Sequence, residues 1–180
     1  MPVETLFQFH LVLGYVAWSL CFGTYIWPKL KAMSRFEALR AIATLHSFRF
    51  FGLVFILPGV VGTALPPGFA TFAAYGDLAA GLLALMTLMA VRVRPVFWLF
   101  AAAFNAVGLA DLVFDYYHAI QSGLPAHAGQ LAAIYWIPIL YVPVLMITHI
   151  AAFYLLLQRE PRPASAALPA ERGRAASAPG

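Results

Sequence analysis

The sequence contains few charged residues. Only 10% of its 180 residues are Asp, Glu, Lys or Arg, whereas 63% are hydrophobic. A soluble domain typically carries about 25% charged residues, and a folded chain of this length has too little interior to bury so much apolar surface from water. We therefore expect the chain to fold in a lipid bilayer, with lipid as its main partner.

Cysteine and the common motifs of enzyme sites are also scarce. The single cysteine, Cys21, excludes an internal disulfide and a metal cage built from cysteine thiolates. The sequence contains no phosphate-binding loop and no GxSxG, HExxH or CxxC motif. These absences favour a protein that is not an enzyme, and the sequence identifies no set of metal ligands.

Five long apolar runs account for most of the chain. A helix that spans a bilayer needs about 20 mostly apolar residues, and five segments meet this requirement. The predicted spans are residues 6–27, 43–65, 72–91, 96–117 and 134–157. We predict an all-α fold, a polytopic membrane bundle of five transmembrane helices that occupies residues 1–157.

The basic residues are unevenly distributed between the predicted loops. Ten of them fall in the first loop, the third loop and the C-terminal segment, and none falls in the N-terminal residues, the second loop or the 119–133 loop. They are Lys29, Lys31, Arg35, Arg40, Arg92, Arg94, Arg159, Arg162, Arg172 and Arg174. Because loops rich in Lys and Arg stay in the cytoplasm, we predict an outer N-terminus and an inner C-terminus.

The C-terminal segment, residues 158–180, is rich in Ala, Pro, Arg and Ser. Such a composition cannot bury a core, so we predict a disordered, basic, cytoplasmic tail. The net charge of +4 does not indicate nucleic-acid binding, because the basic residues are spaced between apolar segments.

Arg49 is the one basic residue inside a predicted span. Counting about 20 residues inward from Leu65 places the inner edge of the second span near His46, so Arg49 would lie only about 5 Å inside it. A side chain this long can reach the headgroups from that depth. The alternative is that Arg49 turns inward and pairs within the bundle. We treat it as a boundary residue first and a site residue second.

Several other polar residues lie inside the predicted spans. Asp111, Asp115 and His118 follow one stripe of the fourth span, at helical spacings of four and three residues. Two aspartates one turn apart repel unless a cation, a proton or a base lies between them. The candidate ligand- or ion-binding residues are Arg49, Asp77, Asn105, Asp111, Asp115, His118 and His149. The alternative is that these side chains only join neighbouring helices by hydrogen bonds.

Three functions fit these residues. The preferred one is binding or translocation of a small ligand, cation or proton, as in a transporter, without a cofactor. The second is a redox protein that binds haem b through His46 and His149, with Arg49 near the propionates and His10 with His118 as a second pair. The residue count weakens the first pair, because it places His149 about 10 Å deeper than His46. The third is a non-catalytic membrane subunit or scaffold.

Four stretches of the sequence resemble a group of small, uncharacterised bacterial inner-membrane proteins with five spans. They read LHSFRFFGLVFILPGVV, AYGDLAAGLLAL, FNAVGLADLVFDYY and YWIPILYVPVLMITHIAAF. The resemblance implies a multi-pass protein of the bacterial inner (plasma) membrane, and it implies no activity. A chain this short would act as a homo-oligomer or within a larger membrane complex.

Overall fold

The computed structural model describes residues 1–158, and this part of the chain is helical with no β-strand. Five apolar helical segments are long enough to cross a membrane, which confirms the all-helical prediction. We number them as follows: α1 (Val3–Ala32), α2 (Arg35–Ile56), α3 (Pro67–Arg92), α4 (Arg94–Gln121) and α5 (Ile137–Leu157). The predicted disordered tail falls almost entirely outside the described residues.

The second segment differs most from its predicted bounds of 43–65. It begins eight residues earlier, where Ser34 and Glu37 form a capping box: the Glu37 N–H donates to Ser34 Oγ and the Ser34 N–H donates to Glu37 Oε2. It ends at Ile56 because Leu57 precedes a proline and takes an extended conformation. The apolar residues that follow, including Gly59 at φ +82°, form turns instead of a helix.

The helices are irregular at two places that bear on the site. The second half of α2, Ser47–Ile56, is a 3₁₀-helix, which rises about 2.0 Å per residue instead of 1.5 Å. The start of α5, Ile137–Tyr141, is a π-helical turn. Pro143 follows it, and since proline has no N–H, the Ile139 carbonyl lacks its α-helical partner. That carbonyl packs against Gly14 of α1, where a side chain would overlap it.

The connection between α4 and α5 was predicted as a loop over residues 119–133. The structure forms a short 3₁₀-helical segment there, Leu124–Ile134, with a kink at Ala132. Leu124 and Leu131 are fully buried against the ends of the other helices. The segment therefore covers one end of the bundle.

The interior consists of two apolar clusters separated by polar residues. One cluster, which we call the closed half, contains Leu39, Phe97, Ala101, Phe104, Ala152 and Leu155 among others. The second, which we call the cavity half, contains Phe7, Phe55, Phe69, Ala73, Leu131 and Ile137 among others. Along each of α2 to α5, buried polar residues lie between the members of the two clusters. We call this set the polar layer: His46, Arg49, Asp77, Asn105, Asp111, Thr148 and His149.

Candidate functional site

Arg49 lies at the centre of the polar layer, and its side chain is completely buried. Its Nε donates to Asp77 Oδ1 at 2.7 Å, and its Nη2 donates to Asp111 Oδ2 at 2.5 Å. Its Nη1 donates to the Gly108 carbonyl at 3.1 Å and lies 3.2 Å from His149 Nε2. One guanidinium therefore joins α2 to α3, α4 and α5.

This geometry corrects the preferred prediction for Arg49. The side chain does not extend to a boundary of the bundle, and the alternative of inward pairing is the one observed. The residue count failed because the stretch up to Leu65 was taken as helix, whereas α2 runs from Arg35 to Ile56. Arg49 consequently lies in the interior of the segment, where a charge is costly unless it is paired.

Three glycines make room for these contacts. A Cβ at Gly52, one turn after Arg49, would overlap the Asp77 carboxylate, and a Cβ at Gly76 would overlap the Asp111 carboxylate. A Cβ at Gly108 would lie within 2.7 Å of both Arg49 Nη1 and His149 Nε2. Small residues thus allow the charged groups to approach the backbone of neighbouring helices.

His149 forms a directional chain with Asn105. The Asn105 amide nitrogen donates to the Ala101 carbonyl at 2.7 Å, so its oxygen is the atom that accepts from His149 Nδ1 at 2.9 Å. His149 therefore carries its proton on Nδ1, and its Nε2 lone pair accepts from Arg49. In this arrangement the imidazole is neutral, and both of its nitrogens have partners.

His46 lies beside His149 with the two ring centroids 4.0 Å apart. The Thr148 hydroxyl donates to the Val144 carbonyl at 2.7 Å, so it accepts from His46 Nε2 at 2.9 Å. His46 Nδ1 is buried and has no hydrogen-bond partner. The predicted difference in depth of about 10 Å between the two histidines is wrong, because it rested on the same misplaced end of α2.

The residues proposed for haem do not fit a porphyrin as they are arranged. A haem held by two histidines needs the iron and its ring between two imidazole nitrogens, whereas the His46 and His149 rings are in contact. His10 Nδ1 instead lies 3.0 Å from the Tyr135 hydroxyl, and the His118 ring packs on Phe72 at a centroid distance of 4.4 Å. Each member of the second pair therefore has a separate partner.

A cavity of about 230 Å³ borders the polar layer within the cavity half. Two carboxylates, those of Asp77 and Asp115, line it together with the polar groups of Gln8 and Tyr116. The rest of the lining is mainly apolar and comes from all five helices and from Leu124 and Pro125. The Tyr116 hydroxyl is 2.8 Å from that of Tyr15, which ties α4 to α1 at this site.

The carboxylates of the site outnumber its cations. Asp77, Asp111 and Asp115 face one guanidinium, and the hydrogen bonds of His149 leave it neutral. One oxygen of Asp111 and one of Asp115 are buried without a hydrogen-bond partner. An uncompensated buried carboxylate costs on the order of several kcal/mol. The arrangement is therefore suited to taking up protons or a cation.

The structure brings most of the predicted site residues together. Arg49, Asp77, Asn105, Asp111 and His149 form one connected network, Asp115 shares the cavity with Asp77, and His118 lies apart from the network against Phe72. Within residues 1–158, no group of three or more His, Cys, Asp and Glu side chains is placed to hold a metal ion.

The sequence analysis did not identify Gly52, Gly108, Gln8 and Tyr116 as site residues. Gly52 carried a usable signal, because it lies three residues after Arg49 and so shares its helical face. Gln8 and Tyr116 border a space that exists only once α1 is placed against α4.

Comparison with known proteins gives a family for the chain. No curated protein and no solved structure matches it. One family model, described as a domain of unknown function (DUF8737), matches residues 6–157. The match covers most or all of each helix and every residue of the site described above. The chain therefore belongs to the DUF8737 family.

Proposed function

We propose that this protein is a multi-pass inner-membrane protein of a bacterium that binds a proton or a small cation at the carboxylates around Arg49. The distribution of Lys and Arg supports an outer N-terminus and an inner C-terminus. The cavity is lined by residues near the start of α1 and the end of α4. In this orientation the site receives its proton or cation from the outer side.

The excess of carboxylates over cations is the observation that carries the proposal. Three carboxylates share one guanidinium in a region from which water is largely excluded. Because like charges at this distance destabilise one another, the ionised group needs an additional positive charge. Asp115, which lines the cavity and has an unpartnered oxygen, is the position at which that charge is gained.

A proton or an organic cation fits the site better than a bare metal ion does. Metal ions such as Ca²⁺ and Mg²⁺ require about six oxygen ligands, whereas Arg49 already occupies one oxygen of Asp77 and one of Asp111. We therefore include no resident metal and no haem in the proposed function.

The closed half limits what this conformation does. Leu39, Phe97 and Phe104 are fully buried on the other side of the polar layer. The cavity lies on one side of the layer, so the described state binds from that side. Translocation would require a second conformation in which the closed half opens.

Infrared spectroscopy of the full-length protein in lipid nanodiscs tests the proposal. A protonated carboxyl group absorbs separately from an ionised one, so a pH titration should show a carboxyl signal that is lost in Asp115→Asn. Glu4→Gln, which removes an exposed carboxylate outside the cavity, is the matched control and should retain the signal.

Two outcomes would contradict the proposed function. One is a titration in which no protonated carboxyl is seen and added cations change nothing. The other is that Asp115→Asn and Asp77→Asn only reduce the amount of folded protein. In that case the charges join helices, as expected for a non-catalytic subunit or scaffold.

A further inference from the structure

The cavity beside the polar layer combines two kinds of surface. Its acidic side chains are those of Asp77 and Asp115. Phe69, which also lines it, lies two helical turns before Asp77 on α3, and Phe7 and Leu11 of α1 form another part of the wall. A ligand bound here would thus meet negative charge next to the polar layer and apolar surface further from it.

We propose that the cavity binds a small hydrophobic ammonium ion, a protonated primary amine that carries an aryl or alkyl group. This inference rests on the proposed function and specifies its cation. The ammonium group lies against Asp77 and Asp115, and the apolar part lies against Phe7, Leu11 and Phe69.

The charge of the site selects a cation over other ligands. Arg49 already donates to Asp77 and Asp111, so an anion entering the cavity would face carboxylates without a free guanidinium. A neutral ligand would leave the excess negative charge in place. An ammonium ion supplies the missing charge and three N–H donors for the unpartnered Asp115 oxygen and its neighbours.

The size and composition of the cavity limit the apolar part of the ligand. A volume of about 230 Å³ equals roughly eight water molecules at about 30 Å³ each, so a single aromatic ring or a short alkyl chain fits. Phe7, Phe55 and Phe69 line the space, and aromatic faces attract ammonium groups as well as burying apolar surface.

Binding of the ammonium ion is coupled to a proton. When the site holds a protonated carboxyl, the ammonium replaces that proton: the carboxyl releases H⁺ to the outer solution, and the resulting carboxylate pairs with the ammonium. No covalent bond to the ligand forms. The affinity for the amine should therefore rise as the pH is raised over the range in which the carboxyl titrates.

Equilibrium binding of tritiated 2-phenylethylamine to the full-length protein in nanodiscs tests this inference, with empty nanodiscs as the background. We expect saturable binding, competition by unlabelled amine, and little competition by 2-phenylethanol or 3-phenylpropionate, which are neutral and anionic analogues. Asp115→Asn should weaken binding at least about tenfold, since it removes one charge of a buried pair.

A pair of tryptophan variants tests the location of the ligand. Leu11→Trp should fill the cavity and abolish binding, because Leu11 is in its lining. Val12→Trp places the same residue one position along α1, where the side chain is 60% exposed and outside the cavity, and it should bind as the unaltered protein does. These two variants keep the test decisive if Asp115→Asn fails to fold.

The possible results separate the inference from the proposed function. If infrared spectroscopy shows a protonated Asp115 but no amine binds, or if 2-phenylethanol competes as well as the amine, the ammonium inference is overturned and proton binding stands. If Leu11→Trp and Val12→Trp bind equally, the cavity is not the site. If neither amine binding nor a protonated carboxyl is seen, both proposals fail.

Discussion

The two halves of the bundle are built from the same helices but solve different problems. In the closed half, aromatic and small side chains pack directly against one another; the Phe36 and Phe97 ring centroids, for example, are 4.3 Å apart. In the cavity half, the same four helices and α1 surround a space of about 230 Å³ bordered by carboxylates. The comparison indicates that one half supports the polar layer and the other gives access to it.

Removing the Arg49 charge should have the largest effect on this division. Arg49→Met leaves Asp77 and Asp111 buried without their partner, and breaking a buried ion pair in this way costs about 3–5 kcal/mol. We expect a large loss of folded protein, measured by thermal unfolding in detergent.

Two further variants control for the effect of Arg49→Met. Arg40→Met removes an exposed basic residue of the same helix and should unfold as the unaltered protein does. Adding Asp77→Asn and Asp111→Asn to Arg49→Met should recover part of the stability, since the unpaired charges are then gone. Equal losses from Arg40→Met and Arg49→Met would show that the buried network is not formed.

A methyl group at Gly76 should separate the α3–α4 contact with a smaller effect. Its Cβ would overlap Asp111 Oδ1, so Gly76→Ala should lower the free energy of unfolding by about 1–3 kcal/mol. Gly68→Ala, in the same helix but with no atom near the new Cβ, is the control. Equal stability of the two variants in a thermal unfolding assay would contradict the close approach of Asp111 to α3.

The two halves should also respond differently to loss of an aromatic ring. Phe97 is fully enclosed in the closed half, whereas Phe69 already borders a cavity. Phe97→Ala should therefore cost about 1 kcal/mol more than Phe69→Ala, because more packing contacts are lost. Chemical or thermal unfolding of both variants measures this difference, and a larger cost for Phe69→Ala would reverse the comparison.

The smallest expected signal concerns haem. With His46 and His149 in ring contact and both nitrogens of His149 occupied, we expect protein purified from haem-replete cells to show no Soret band. A visible spectrum measures this. A Soret band that disappears in His149→Ala would show that the polar layer opens to take a haem and would restore the redox alternative.

The sequence predicted which side chains matter better than it predicted how they meet. Asp77, Asn105, Asp111 and His149 stand out as polar residues within long apolar runs, and all four are in the network. Polar groups in such runs are expensive and face inward, so composition alone identifies them. The helical class and the number of apolar helices follow from the same runs.

The position of Arg49 could not be predicted because the end of α2 depends on local backbone conformation. Leu57 and the residues after Pro58 are as apolar as a helix would be, so hydropathy does not show that they turn. The 3₁₀ geometry of Ser47–Ile56 further changes the rise per residue. The cavity also lies beyond sequence analysis, since it depends on where Gly14 lets α1 approach the Ile139 carbonyl.

The direction of the hydrogen bonds through His149 has an electrical consequence. Arg49 donates to His149, His149 donates to Asn105, and Asn105 donates to a backbone carbonyl, so every bond in the chain points the same way. Arginine does not release its proton in proteins, and a carbonyl does not pass one on. A proton that reaches the cavity thus finds no conducting path through these three residues, and the layer insulates one side of the bundle from the other.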